Sequence, residues 1–443
     1  MSAESAEQNV MNRWIIVVAA ILIQLSLGAI YAWSVFTPDL VAEDGVYQFT
    51  STQTQIIFSA GLAVFAVVMV AAGRMQAKIG PRPIAALGGL VLGAGYVLGG
   101  FLGKTFAAQL ICIGFIGGAG IGLAYVVPIA VCVKWFPDMK GLITGLAVAG
   151  FGFGATLWVK LGGSWFGGLL HVCDGMMGLP GVQAVFVIYG IVFLVSVLLG
   201  SIFMVNPPAG YKPRGWEPPA ATEHSAATGA VDFTEGQMLG TPQFYMLWLI
   251  FACSAMAGLM VIGCIKLFGI DALQASGAAE SKDLASATAG TAMALYAILN
   301  GLGRIIWGKV SDTIGRKPAI FIMCALQGVM MLVFFKIGAT SAGLIIGACV
   351  IGFNFGGNFA LFPAATADFF GNANVGKNYG YVFLAYGVAG IVGPQIAGIF
   401  KDRALASGAG VGAWSTPFII AGIACLAGAA LALIIKPPKA KTA

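Results

Sequence analysis

Charge is scarce in this sequence. Only 9% of its 443 residues are Asp, Glu, Lys or Arg, against 59% hydrophobic. A water-soluble domain carries about 25% charged residues, so this chain lacks the means to cover its own surface in water. Histidine is nearly absent, at two residues, and neither lies within an apolar run. With no Ser–His pair in view, nucleophilic catalysis has no machinery and no enzyme activity is expected. The eight cysteines form no C-x-x-C pair and most fall in apolar runs, where Cys acts as a small hydrophobe. Cys173 is flanked by His171 and Asp174, but no second cluster completes a ligand set, so neither a metal nor a cofactor is expected. No Asp or Glu lies well inside any apolar run, yet three cations do: Lys160, Lys266 and Arg304.

What the chain has is length in hydrophobic runs. Runs of about 20 residues recur throughout, each able to cross a ~30 Å hydrocarbon layer. Twelve spans are predicted: 13–36, 52–73, 83–102, 106–133, 142–168, 182–205, 243–269, 286–308, 318–337, 342–365, 379–400 and 415–436. The stretch Met1–Met11 is polar without a basic run, and the first apolar run is too long for a signal-peptide core, so it reads as a retained span. Of the 23 Lys and Arg, three are the span cations named above. Five (Lys104, Lys282, Lys336, Lys401 and Arg403) fall on one side, and the other fifteen fall on the side of the termini. The positive-inside rule therefore puts both termini in the cytoplasm. The net charge of +6 belongs to that membrane face and is no sign of nucleic acid.

Residues 206–240 contain Pro207, Pro208, Pro213, Pro218 and Pro219 and a Ser/Thr/Ala/Gly stretch, which reads as a flexible linker. The predicted organisation is a tail (1–12), a six-helix bundle (13–205), the linker (206–240), a second bundle (241–436) and a short tail (437–443). The two halves repeat. GRMQAKIGPRP (73–83) follows span 2 and GKVSDTIGRKP (308–318) follows span 8. Gly73, Ile79, Gly80 and Pro83 meet Gly308, Ile314, Gly315 and Pro318 at an offset of 235, and Pro128 meets Pro363 at the same offset. Such repeats mark transporters built from two related bundles.

The pattern at Gly308, Asp312, Gly315, Arg316 and Lys317 resembles the cytoplasmic loop signature of the major facilitator superfamily. That resemblance implies an all-α membrane protein with 12 transmembrane helices in two six-helix bundles related by a pseudo-two-fold repeat, with this loop acting as a cytoplasmic gate. The first-half copy departs from the signature: Ala77 stands where an Asp is expected and Pro81 where an Arg is, which leaves Asp312 as the latch candidate. Membrane anchoring would account for Lys309 and Lys317 alone, but not for the glycine spacing. AIYAWSVF (29–36), KWFPDMKG (134–141), FNFGGNFALFP (353–363) and KNYG (377–380) together resemble the oxalate/formate antiporter family, relatives of the monocarboxylate transporters.

A cation inside the bilayer costs about 2.5–3.5 kcal/mol on insertion scales. With no internal acid to offset Arg304, an anionic ligand in a cavity is the natural partner; snorkelling to the headgroups is the alternative. Cα–Cβ bonds tilt toward a helix's N-terminus, which for Arg304 is toward the membrane centre and against snorkelling. In related transporters an arginine at this place binds the substrate carboxylate. Asn300 lies one turn away on the same face and can donate to the ligand or to another helix. In the animal monocarboxylate transporters this place holds an Asp linked to proton coupling, and Asn cannot titrate. Tyr31, Trp33, Tyr125, Phe355, Phe359 and Tyr386 are the candidates for shaping the cavity, with ordinary helix packing as the alternative for each, and the tyrosines rank first because a buried hydroxyl needs a partner. Lys160 and Lys266 are nearer the outer ends of spans 5 and 7, where they either snorkel or attract anions. The resemblance implies that oxalate transport uses a second cation in span 11. Counting from Gly380, that place holds Tyr386, so a small monocarboxylate is expected rather than a dianion.

The expected function is secondary transport of a lactate- or pyruvate-type monocarboxylate with a proton across the bacterial cytoplasmic membrane. Glycines in spans 5 and 11 and Pro394 are compatible with sliding and bending helices. A carboxylate/carboxylate antiporter and a non-transporting carboxylate sensor are the alternatives. The expected partners are a small organic anion, a proton and the lipid bilayer, with no nucleic acid, and the chain is expected to be a monomer.

Overall fold

The computed structural model describes residues 11–136, 140–208, 211, 213, 232–371, 374–407 and 410–438. Most of the tails, most of the 206–240 segment and positions 137–139 of the 134–141 stretch lie outside them. Among the described residues every regular element is helical.

Twelve helices are long and apolar enough to cross a membrane: Arg13–Val35, Ser51–Gln76, Pro81–Leu102, Phe106–Cys132, Gly145–Gly163, Gly181–Ile202, Pro242–Ala275, Lys282–Ile314, Arg316–Ile337, Ser341–Phe370, Lys377–Arg403 and Gly410–Ile434. They are spans 1 to 12 below. Hydroxyl caps fix several of their starts. The side chains of Thr50, Thr105, Thr241, Ser281 and Thr340 each accept a first-turn backbone N–H, satisfying donors the helix cannot. These caps carry spans 8 and 10 beyond their hydrophobic stretches: span 8 begins at Lys282 and ends at Ile314, not at 286 and 308.

Outward faces are apolar. Ile191, Val195 and Leu199 share one face of span 6, and Ile322, Leu326, Val329 and Val333 one face of span 9, all exposed. Patches of this kind are matched to lipid rather than water.

The repeat seen in sequence is present in the backbone. Gly80 and Gly315 each end a helix at φ 91°, and each N–H donates four residues back, to Gln76 O and Ser311 O. A side chain would be strained at that φ, which accounts for glycine at both. Between the halves, span 2 packs on span 11 and span 5 on span 8, a symmetric pair of contacts, while span 7 packs on the end of span 1. Span 1 tightens into a 3-10 helix over Gly28–Val35 and span 4 loosens into a π-helix over Leu110–Gly117.

The end of the expected linker makes specific contacts. The Phe233 N–H donates to Phe370 O (2.9 Å), its carbonyl accepts from Asn374 and Asn378, and its ring meets Phe370 edge-on. Thr234 and Gln237 then form a capping box that starts the short helix Glu235–Leu239. Capping and a ring contact order this part of a proline-rich segment.

Candidate functional site

Arg304 lies in the middle of the protein, 2% exposed. Gly356 lets span 10 press against span 8 here, since a Cβ on it would lie 2.0 Å from Asn300 O. This approach brings Phe359 under the guanidinium, 4.1 Å from ring centroid to Cζ. Phe151 of span 5 stands 5.8 Å away on another side. Both rings offer a π-face to the cation.

The guanidinium folds back over Asn300. Nε and Nη2 donate to Asn300 Oδ1 at 3.2 and 2.9 Å, and Nη1 donates to Val148 O of span 5 at 3.2 Å. A guanidinium has five N–H groups, so donors remain for a ligand. Asn300 Nδ2 is fully buried and without a partner among the described residues, a second donor beside the first. No carboxylate is paired with Arg304 among the described residues.

Five of the six aromatic candidates converge on the same place, while Trp33 packs against Phe36 and Phe186 and donates to Thr54 O. Tyr31 and Tyr125 interact electrostatically with Arg304. The Tyr31 hydroxyl bonds that of Tyr386 at 2.9 Å. Phe355 lies 5.9 Å from the Tyr31 ring and 5.3 Å from Phe359, which lies 5.6 Å from Tyr386. All five are buried. Three further rings that sequence reasoning missed complete the wall: Phe65, Phe151 and Phe383. Phe65 touches Tyr125, Tyr386 and Phe383, Phe151 touches Tyr31 and Tyr125, and Phe383 stacks on Tyr386. The flanking Gly150 and Gly152 were the available signal for Phe151.

Lys160 and Lys266 are not in this group. They stand nearer the face opposite the termini, where both line a separate cavity.

Bonds between the halves lie on both faces. On the face away from the termini, the Asp402 carboxylate of span 11 accepts from Ser51 N and Thr52 N of span 2 at 3.0 and 2.9 Å, and Gln55 donates to Gly263 O. On the face of the termini, Arg74 of span 2 donates to Tyr381 of span 11 and to Glu235 at 2.7 and 2.8 Å. The loop-signature residues lie on this face but bond within the second half. Arg316 reaches Asp312 (2.6 Å), Ser311 and Asp368 (3.0 Å), Gly315 makes the turn, Gly308 packs by Ala360 and Lys317 is half-buried. In this conformation Arg74 links the halves, and among the described residues Asp312 pairs within the second half.

Comparison with known proteins agrees with this architecture. The family model described as Major Facilitator Superfamily matches residues 9–281 and 265–443. The oxalate:formate antiporter of Oxalobacter formigenes is 28% identical over 428 residues, covering 96% of this chain and 92% of that protein. The MFS-type transporter YhjX of Escherichia coli (strain K12) is 30% identical over 386 residues, 86% of each chain. Apicoplast pyruvate carrier 1 of Toxoplasma gondii is 24% identical over 459 residues, covering 86% of this chain and 83% of that protein.

Proposed function

The chain belongs to the major facilitator superfamily, and from that premise we propose that it carries a small monocarboxylate of the lactate or pyruvate type by alternating access, together with a proton. The carrying observation is Arg304: a buried guanidinium that has no protein carboxylate among the described residues. Left alone, such a charge is costly in the membrane. A carboxylate ligand supplies the missing negative partner, with charge-assisted and bidentate hydrogen bonds. Asn300 Nδ2 and the hydroxyls of Tyr31 and Tyr125 are the groups to orient the ligand's remaining oxygens, and the rings of Phe355 and Phe359 limit its size. Tyr386 brings a hydroxyl where a dianion would need a second cation. One relative is named for oxalate and formate and another for pyruvate, which supports a small carboxylate as cargo.

The protein works in this reading as a monomer in the bacterial cytoplasmic membrane, both termini inside, without enzyme activity. Occupation of the Arg304 site lets the two bundles rock about it. Arg74–Tyr381 and Asp402–Ser51 open in alternation, and the loop of Gly308–Lys317 stiffens the cytoplasmic side.

Exchange of one carboxylate for another is the second reading. It is favoured by the presence of Asn300, which cannot titrate, beside Arg304. The test is proteoliposome uptake of labelled lactate, pyruvate, formate and oxalate, each with and without an imposed pH gradient. Lactate or pyruvate uptake driven by the gradient supports the first reading. Gradient-independent counter-flow replaces it with the second, and no uptake of any of the four refutes both.

A further inference from the structure

The central site leaves two cations unused, and they meet elsewhere. A cavity of about 210 Å³ lies between spans 1 and 5 of the first half and spans 7 and 8 of the second, on the face opposite the termini. Lys160 lines it from one half and Lys266 from the other. The Lys160 ammonium donates to Thr291 Oγ1 at 2.9 Å. That hydroxyl gives its own proton to Ala287 O, so it meets Lys160 only as an acceptor and holds the ammonium in place.

Lys266 is the stronger observation. It is 7% exposed, and among the described residues it has neither a hydrogen-bond partner nor a carboxylate within 4 Å. Its Nζ reaches across to span 5, to 3.9 Å from where a Cβ on Gly163 would sit. The ammonium is not sealed from the cavity, but a charge on so buried a side chain without a hydrogen-bond partner among the described residues is still costly. A second cation lining the same small space adds repulsion. Asp283, also in the wall, supplies one negative charge beyond ion-pair distance. Asp39, outside this wall, is the acid that acts electrostatically on Lys266. The opposite wall is open, since a Cβ on Gly290 would meet nothing within 4 Å. A small anion fits the volume, satisfies Lys266 and relieves the repulsion.

We propose that this cavity is a second anion subsite, binding one small carboxylate between Lys160 and Lys266, apart from Arg304. Its place at the junction of the halves makes it a station on the route between the outer face and the central site. That role rests on the reading of small carboxylates as cargo; the binding itself does not need Arg304.

Equilibrium dialysis of labelled L-lactate against the full chain in lipid nanodiscs tests this. In the Arg304→Ala background, which removes the central partner, lactate binding persists. Adding Lys266→Gln weakens it about tenfold or more, the effect of losing a charge-assisted hydrogen bond, and Lys266→Arg in its place restores it. Gly290→Val fills the cavity without changing any charge and also weakens binding. Asp283→Asn removes the opposing charge and tightens it, a gain that misfolding cannot mimic. Absence of lactate binding in Arg304→Ala overturns the proposal. So does binding there that is indifferent to Lys266→Gln, Gly290→Val and Asp283→Asn. Normal uptake by Arg304→Ala is a different failure: it refutes the central site and leaves this subsite standing.

Discussion

The hydroxyls of Tyr31 and Tyr386 lie 2.9 Å apart and tie span 1 of the first half to span 11 of the second, beside the Arg304 guanidinium. An opening that draws span 1 away from span 11 has to part them. The bond is therefore both a wall of the site and a clasp between bundles.

Tyr31→Phe keeps the ring and removes the clasp. A net hydrogen bond is worth about 1 kcal/mol, so the KM for lactate in proteoliposomes rises about fivefold, with the protein inserted normally. An unchanged KM would mean that the two hydroxyls do not meet in the loaded state.

Tyr386→Lys places a second cation across the site from Arg304. Competition uptake then shifts from lactate toward oxalate, because a dianion gains a partner for its second carboxylate. Unchanged selectivity would remove the charge argument for monocarboxylates.

Asn300→Asp sets a titratable acid against Arg304, four residues away on the same helix face. When ionised, the new carboxylate occupies the guanidinium and competes with substrate; when protonated, it releases it. The KM of this variant falls as pH falls, beyond any pH effect in the parent protein. A pH profile parallel to the parent's would show that position 300 does not address the ligand-binding face of Arg304.

Asp402→Asn weakens the link between span 11 and the start of span 2, where a carboxylate is favoured by the helix N-terminus by about 0.3–1 kcal/mol. Hydrogen exchange at the Ser51 and Thr52 amides speeds up severalfold, while that of Gly315, on the other face, does not. Equal protection in both proteins would count against Asp402 as the closure on that face.

Much of this was legible in the sequence because contrast makes residues visible. Arg304 and Asn300 stand out in an apolar run, and the Gly80/Gly315 pair announces the repeat that the backbone shares at φ 91°. Phe65 and Phe383 were not legible, because a phenylalanine in an apolar helix offers no contrast, and only the fold turns it toward the site. Asp402 and Thr52 are 350 positions apart, and no local pattern joins them. Helix ends were misjudged where hydropathy and capping disagree, as in span 8: lipid contact stops where polar residues begin, but the helix continues to its caps. The contacts of the linker's end were not legible for a related reason, since composition shows its prolines but not the seat of Phe233 against Phe370.

The measurement that bears most directly on the central claim is lactate and pyruvate uptake by Arg304→Ala, reconstituted at the same density and folding yield as the parent. Truncating one partner of a buried, hydrogen-bonded charge pair costs roughly 2–5 kcal/mol. Uptake at limiting substrate should therefore fall by about a hundredfold, and Arg304→Lys should not restore it, since the planar fork is lost. Uptake by Arg304→Ala within twofold of the parent would contradict the account.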